Sequence, residues 1–320
     1  SYLPTGIIFE VIKRDNILKA ALNILGKKIK YFPYLKGSDI NFFLEKKNLV
    51  GGVGGDMPVL TASSNFNINV SMVLQKGNIS IITDKPMLTN DIKGKRIGYP
   101  SGSISHYFLL NLLHDSGMEE NELKLIPMDV TTMANALQNN EIDLFTAWEP
   151  TVASALKQYP EFFKSYSKIS TGYLYFLKEF VEKNPKIVNQ ILAATIRAIT
   201  WLKNDRENLL LACLWNIEEI EKLTGEKCML DSEEFADLAM ADILRYHSKY
   251  SIVVNDDDTQ INSSLHKEFR FLKELNLVPI SSEWDKVRES FDLNLVLEIY
   301  KQSKEFNLDK FDYDSNFNEH

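Results

Sequence analysis

The stretch GKRIGYPSGSISHYFLLNLL, residues 94–113, decides how this chain is read. It opens on glycine and charge, runs through Arg96-Ile97-Gly98-Tyr99, turns at Pro100-Ser101-Gly102-Ser103 and then becomes apolar. A strand over 95–99, a hydroxyl-rich turn and a mostly buried helix over 104–116 follow one another without a break, with Gly117 as the helix stop. Outward from there the alternation continues. Residues 123–126 read as a strand and 130–139 as a helix with Val130, Met133, Ala134 and Leu137 on one face. Residues 142–147 read as a strand, and Pro150 is placed to start a helix. Strands alternating with helices at this spacing predict a parallel sheet with crossover helices, an α/β fold.

The first part of the chain follows the same plan. A helix over 9–24, a strand over 28–32, a helix over 39–46 and a strand over 49–53 lead to Gly54-Gly55-Asp56-Met57-Pro58 and a further helix. Tyr2-Leu3-Pro4-Thr5-Gly6 answers Tyr99-Pro100-Ser101-Gly102, and Asp56-Met57-Pro58 answers Glu149-Pro150. The chain therefore reads as two similar α/β lobes, joined by hinge strands near 79–86 and 171–177. Lobe 1 takes 1–82 plus 178–320, and lobe 2 takes 83–177. Beyond about Asn184 the pattern is nearly all helical. Asn184-Pro185 starts one helix, Asp231-Ser232-Glu233-Glu234 caps another, 253–262 reads as an acidic loop and 309–320 as an acidic tail.

Composition narrows the function. The 320 residues are 44% hydrophobic and 25% charged, ordinary for a soluble globular protein. The net charge of −8 and the lack of a long basic run exclude a nucleic-acid partner. Apolar runs such as 209–215 are too short to cross a bilayer. The opening Ser1-Tyr2-Leu3-Pro4 reads as the middle of a strand, so a preceding segment, a signal peptide or membrane anchor, is expected. Cys213 and Cys228 are the two cysteines, and their spacing leaves a bond between them open. Five scattered histidines and no Cys-x-x-Cys give no metal spacing, and no cofactor is expected. A nucleophile elbow, a Walker loop and a zinc motif are all missing from the sequence, so no enzymatic activity is expected.

Ligands on open α/β sheets bind at the carboxyl ends of strands. Four turns lie there: Pro4-Thr5-Gly6, Gly55-Asp56-Met57-Pro58, Pro100-Ser101-Gly102-Ser103 and Trp148-Glu149-Pro150. Two facing lobes bring all four to one cleft. A helix start with free N–H groups favours an anion. Gly102 permits close backbone approach, and Ser101, Ser103 and Ser105 add neutral donors. Each candidate also has a structural reading. The serines and Asp56 are good N-caps, His106 fits a helix surface and Trp148 a core. Glu149 complements a helix dipole, and Thr171 and Tyr173 suit a hinge. Asp56 and Glu149 across a cleft read either as an acid/base pair or as acceptors for donors on a ligand.

Gly94-Lys95-Arg96-Ile97-Gly98, Ser101-Gly102-Ser103-x-x-His106-Tyr107, Ala134-x-x-Leu137-x-x-x-Glu141-Ile142-Asp143 and Trp148-Glu149-Pro150 together resemble ABC-transporter substrate-binding proteins. The group most similar handles aliphatic sulfonates, taurine, nitrate and thiamine pyrimidine precursors. The resemblance is specific over about 90–155, looser over 1–65, where Gly55-Asp56-Met57-Pro58 matches the first-lobe cleft turn, and fades over the C-terminal helices. It implies a periplasmic-binding-protein type II fold whose lobes close on a ligand. By the resemblance, Ser101, Ser103 and His106 contact the ligand from the second lobe beside Trp148 and Glu149, and Thr5, Gly6 and Asp56 contact it from the first. Gly102, Thr171 and Tyr173 complete the candidate set. The implied protein is a periplasmic or otherwise extracytoplasmic monomer, as a free, lipid-anchored or membrane-tethered form. It captures a small polar, anionic metabolite and passes it to a membrane permease. Two alternatives share the fold: the sensor domain of a membrane-anchored signalling protein such as a histidine kinase, and a thiamine-pyrimidine synthase. The second carries a cysteine-rich motif that this sequence lacks.

Overall fold

The computed structural model describes residues 5–34, 36–243 and 252–314. The expectations for 1–4 and for the last six residues of the tail lie outside them. In chain order, α1 (Gly6–Arg14), α2 (Asn16–Ile24) and α3 (Gly37–Glu45) precede β1 (Gly51–Gly55) and α4 (Asp56–Asn65). β2 (Ile68–Thr83) leads into β3 (Arg96–Tyr99), α5 (Ile104–Asp115), β4 (Lys124–Pro127), α6 (Met133–Gln138), β5 (Leu144–Trp148) and α7 (Thr151–Gln158). β6 (Phe163–Leu177) returns to α8 (Lys178–Lys183), α9 (Pro185–Asn204), α10 (Arg206–Thr224) and α11 (Ser232–Asp242). Then come α12 (Asp256–Thr259), α13 (Ser264–Glu274), α14 (Trp284–Arg288) and α15 (Leu295–Lys301).

The strands form one sheet in the order β1-β6-β2-β5-β3-β4. β3 lies parallel between β4 and β5, as the alternation of short strands and helices requires. The two connecting strands are longer than the sequence suggested: β2 has 16 residues and β6 has 15. They pair antiparallel from Ile68↔Leu177 to Thr83↔Phe163. Their length has a clear cause. β1 is hydrogen-bonded to β6 at Gly55↔Gly172, and β5 to β2 at Ile79↔Trp148, so the pair must reach both halves of the molecule. Register shifts between Val70/Met72, Val73/Gln75 and Ile81/Ile82 bend and twist the pair.

Each half has a core on either face of the sheet. Met72 and Leu74 pack with α1, α9 and α10, while Val70 and Val73 pack with α4 and α13. In the second half Ile79 and Ile81 face α5, and Ile82 faces α6 and α7. Period-two alternation interrupted by the bulges produces this division.

Several expectations need correction. Residues 27–34 form no strand; Ile29 and Tyr31 instead pack on the core built by α1 and α9. The single helix expected over 9–24 is broken at Asp15, whose carboxylate caps α2 at the Leu18 N–H (2.9 Å) and pairs with Arg197 (2.7 Å). The helix expected from Val130 starts at Met133. The acidic stretch 253–262 contains the short α12. Cys213 and Cys228, whose pairing the sequence left open, are both free thiols.

Candidate functional site

The turn at 100–106 is where the two halves touch. Gly102 has φ +70°, the left-handed region that glycine adopts at little cost. A Cβ there would meet the Ser38 Cβ at 3.0 Å, and one on Gly55 would meet the Ile104 Cβ at 3.1 Å. The start of α5 therefore sits against α3 and the end of β1. Ser103 is the N-cap of α5: its Oγ accepts the His106 N–H (3.3 Å) and donates to the Pro100 carbonyl (2.6 Å). The His106 Nδ1 accepts the Gly102 N–H (3.3 Å), which leaves the ring proton on Nε2. Burial pushes the His106 pKa down to about 4, so the imidazole is neutral at physiological pH. Its ring lies 4.6 Å from that of Tyr99. Ser101 is exposed.

The turn after β5 is buried. Trp148 packs in the core of α6 and α7. Glu149 Oε2 accepts the Ala153 N–H (2.9 Å), which caps α7, and Oε1 lies 3.7 Å from Lys164 Nζ. From the other half, Asp242 of α11 reaches the middle of β2. A Cβ on Gly77 would lie 2.8 Å from its Oδ2, so Gly77 leaves room for the carboxyl group. Burial, and next the nearby Glu149 charge, push the Asp242 pKa up to about 7. Burial also raises that of Glu149. Asp242 carried no signal in the sequence, because nothing local pairs it with Glu149.

Three hydroxyls at helix starts share one property. Thr5 precedes α1, Ser105 is in the first turn of α5 and Thr151 opens α7. Their relative exposures are 0%, 0% and 4%, yet none of the three side-chain oxygens has a hydrogen-bond partner among the described residues. Buried polar atoms are nearly always paired in folded proteins, so an unpaired set at helix starts points to a ligand acceptor. Gly6, the first residue of α1, is buried beside Thr5. Thr151 was absent from the sequence-derived set, although its place directly after Pro150 was the available signal.

A cavity of about 510 Å³ lies beside the middle of β2 and β6. Asp56, Thr171 and Tyr173 line it, together with Tyr107, Lys168 and Glu268. Asp56 Oδ2 accepts the Thr171 N–H (3.1 Å) and the carboxyl group also bonds the Tyr173 hydroxyl. Burial outweighs these bonds and pushes the Asp56 pKa up to about 6. Thr5, Gly6, Ser101, Gly102, Ser103, His106, Trp148 and Glu149 do not line this cavity. Among the described residues no cluster is placed to hold a metal ion.

The arrangement of sheet and helices matches solved structures over nearly the whole chain. The periplasmic aliphatic sulphonate binding protein of Escherichia coli superposes with a TM-score of 0.63 at 17% identity, over 92% of this chain and 97% of that one. The periplasmic nitrate-binding protein of Synechocystis PCC 6803 gives 0.66 at 12% identity, over 94% and 86%. The fold is that of the periplasmic binding proteins. Within it, the model of the family described as NMT1/THI5 like matches residues 53–208, from β1 through both crossing strands into α10. A taurine-binding periplasmic protein of Escherichia coli (strain K12) is 24% identical over 243 residues, 67% of this chain and 76% of that protein. The relatives are thus binding proteins, and no described helix of this periplasmic-binding-protein fold is long and apolar enough to cross a membrane.

Proposed function

We propose that the chain is an extracytoplasmic solute-binding protein of an ABC importer, which holds a small oxyanion-bearing metabolite between two lobes and releases it unchanged to a membrane permease. The lobes are residues 1–82 with 178–320, and residues 83–177, turning on β2 and β6. The observation that carries this reading is the set of buried, unpartnered hydroxyls of Thr5, Ser105 and Thr151 at helix starts drawn from both lobes. Hydroxyls and backbone N–H groups at helix N-termini suit the oxygens of a sulfonate or nitrate, because they bind negative charge without a buried countercharge. We assign the Ser101–Ser103 turn, His106, Trp148 and Glu149 to the same cleft, with Gly6 beside Thr5. Glu149 carries its own negative charge, so a ligand that reaches it brings a donor such as an amine, as taurine does. The taurine-, sulphonate- and nitrate-binding relatives support this class over a sensor domain or an enzyme.

Native mass spectrometry and calorimetry with taurine, ethanesulfonate and nitrate test the reading. At least one should form a 1:1 complex, reduce the radius of gyration in X-ray scattering, and be recovered chemically intact. Absence of binding to all three, or conversion of a bound ligand to product, would overturn it.

A further inference from the structure

The cavity on the α5–α13 flank has chemistry that an oxyanion does not need. Glu268, on α13, lines it at 5% relative exposure, and its Oε1 has no hydrogen-bond partner among the described residues. A buried carboxyl oxygen without a hydrogen-bond partner is costly, and the nearby Lys168 charge offsets that cost only in part. Asp56 faces the same space from the start of α4 and is 8% exposed. It stands close enough to Glu268 for the two charges to disfavour each other. Tyr107 adds an aromatic ring to the wall, and that ring already attracts a cation: Lys168 Nζ lies 5.2 Å from its centroid. The lysines at the cavity do not fill the acidic end. Lys168 is exposed and donates to Asn111 Oδ1 (3.1 Å), and Lys267 is exposed at the rim. Lys76 is half-buried, and Asp115 and Asp258 are exposed at the same rim. Burial and the Asp56 charge raise the Glu268 pKa, so two carboxyl groups that a cation would hold ionised lie deep, and mixed charge lies at the mouth.

We propose that this cavity is a second ligand site, built for a small organic ammonium ion, with Glu268 as its counter-ion and Asp56 and the Tyr107 ring beside it. The site is distinct from the oxyanion junction: the hydroxyls of Thr5, Ser105 and Thr151 do not line it. Asp56 and Glu268 come from the part of the chain assigned to the first lobe, and Tyr107 and Lys168 from the part assigned to the second. An ammonium ion seated there bridges both and holds them together.

The test uses the full chain and 1,4-diaminobutane as probe, with sodium chloride at matched ionic strength as control. Calorimetry should show saturable binding of the diamine, and the melting temperature should rise with diamine but not with sodium chloride. Glu268→Gln keeps the shape and removes the charge; it should weaken diamine binding by about tenfold or more, while ethanesulfonate binding stays as in the wild type. Tyr107→Leu removes the ring by an independent route and should also weaken the diamine, with folding of both variants checked by circular dichroism. The proposal is overturned if the diamine does no more than sodium chloride, or if Glu268→Gln binds it as the wild type does. Because the diamine arm is run without sulfonate, its outcome is separate from that of the oxyanion reading.

Discussion

Ser103 and Ser105 stand two positions apart and meet different surroundings. The Ser103 hydroxyl both donates and accepts within its own turn, whereas the Ser105 hydroxyl is buried and has no partner among the described residues. Ser103→Ala should therefore lower stability by about 1 kcal/mol, the usual cost of a lost N-cap, with ligand affinity nearly unchanged. Ser105→Ala should weaken an oxyanion ligand by about tenfold with little loss of stability, since no protein hydrogen bond disappears. Denaturant midpoints and titrations on folded protein separate the two, and an equal loss of affinity in both variants would contradict the assignment. Asp242 gives a pH signature. Its folded pKa of about 7 lies above the ordinary 3.8, so the folded state retains a proton that the unfolded chain releases. Its contribution to stability is complete below about 3.8, falls as pH rises towards 7, and is constant above that. Asp56, at about 6, acts in the same direction. Asp242→Asn should shrink the stability difference between pH 5 and pH 8 without abolishing it. An undiminished difference in urea melts at the two pH values would rule Asp242 out as a source.

At the scale of elements, the break between α1 and α2 shows how a long-range contact overrides a local pattern. The apolar periodicity over 9–24 suits one helix. Asp15 ends it because its carboxylate is needed by Arg197 on α9, a residue with 0% exposure. Arg197 donates from Nε and Nη2 to Asp15 Oδ2 (3.0 and 2.7 Å) and from Nη1 to the Phe306 carbonyl (2.7 Å), so α9, the α1–α2 corner and the C-terminal segment meet at one side chain. Removing one partner of a buried ion pair strands the other, and Arg197→Ala should cost about 3–5 kcal/mol in urea unfolding. A loss below about 1 kcal/mol would mean the pair behaves like a surface one. The lengths of β2 and β6 follow the same logic. Ile79–Thr83 and Gly172–Leu177 looked like strands in isolation, but the remainder of each is held by pairing with the other strand. The Lys28–Phe32 stretch has the composition of a strand and stays irregular because its side chains pack on α1 without pairing.

At the scale of the whole molecule, sequence alone determined the α/β class, the short parallel strands of the second half, the turns at their carboxyl ends and the resemblance to substrate-binding proteins. Those features rest on periodicity, glycine and proline placement and contiguous motifs, all of which act over a few residues. The turn at 100–106 and the Trp148-Glu149-Pro150 turn were legible as strand-to-helix turns for that reason. Tertiary structure alone decided which polar atoms have partners. It separated Ser103 from Ser105, brought Asp242 to Glu149, and placed Asp56 with Glu268 in a cavity apart from the serine-rich turn. The physical reason is that a side chain's hydrogen-bonding and electrostatic state is set by whatever the fold packs against it, from any distance along the chain. Glu268 in SLHKEFRFLKE looks like one charge on an amphipathic helix; only the packing of α13 against α4 and α5 buries it opposite Asp56.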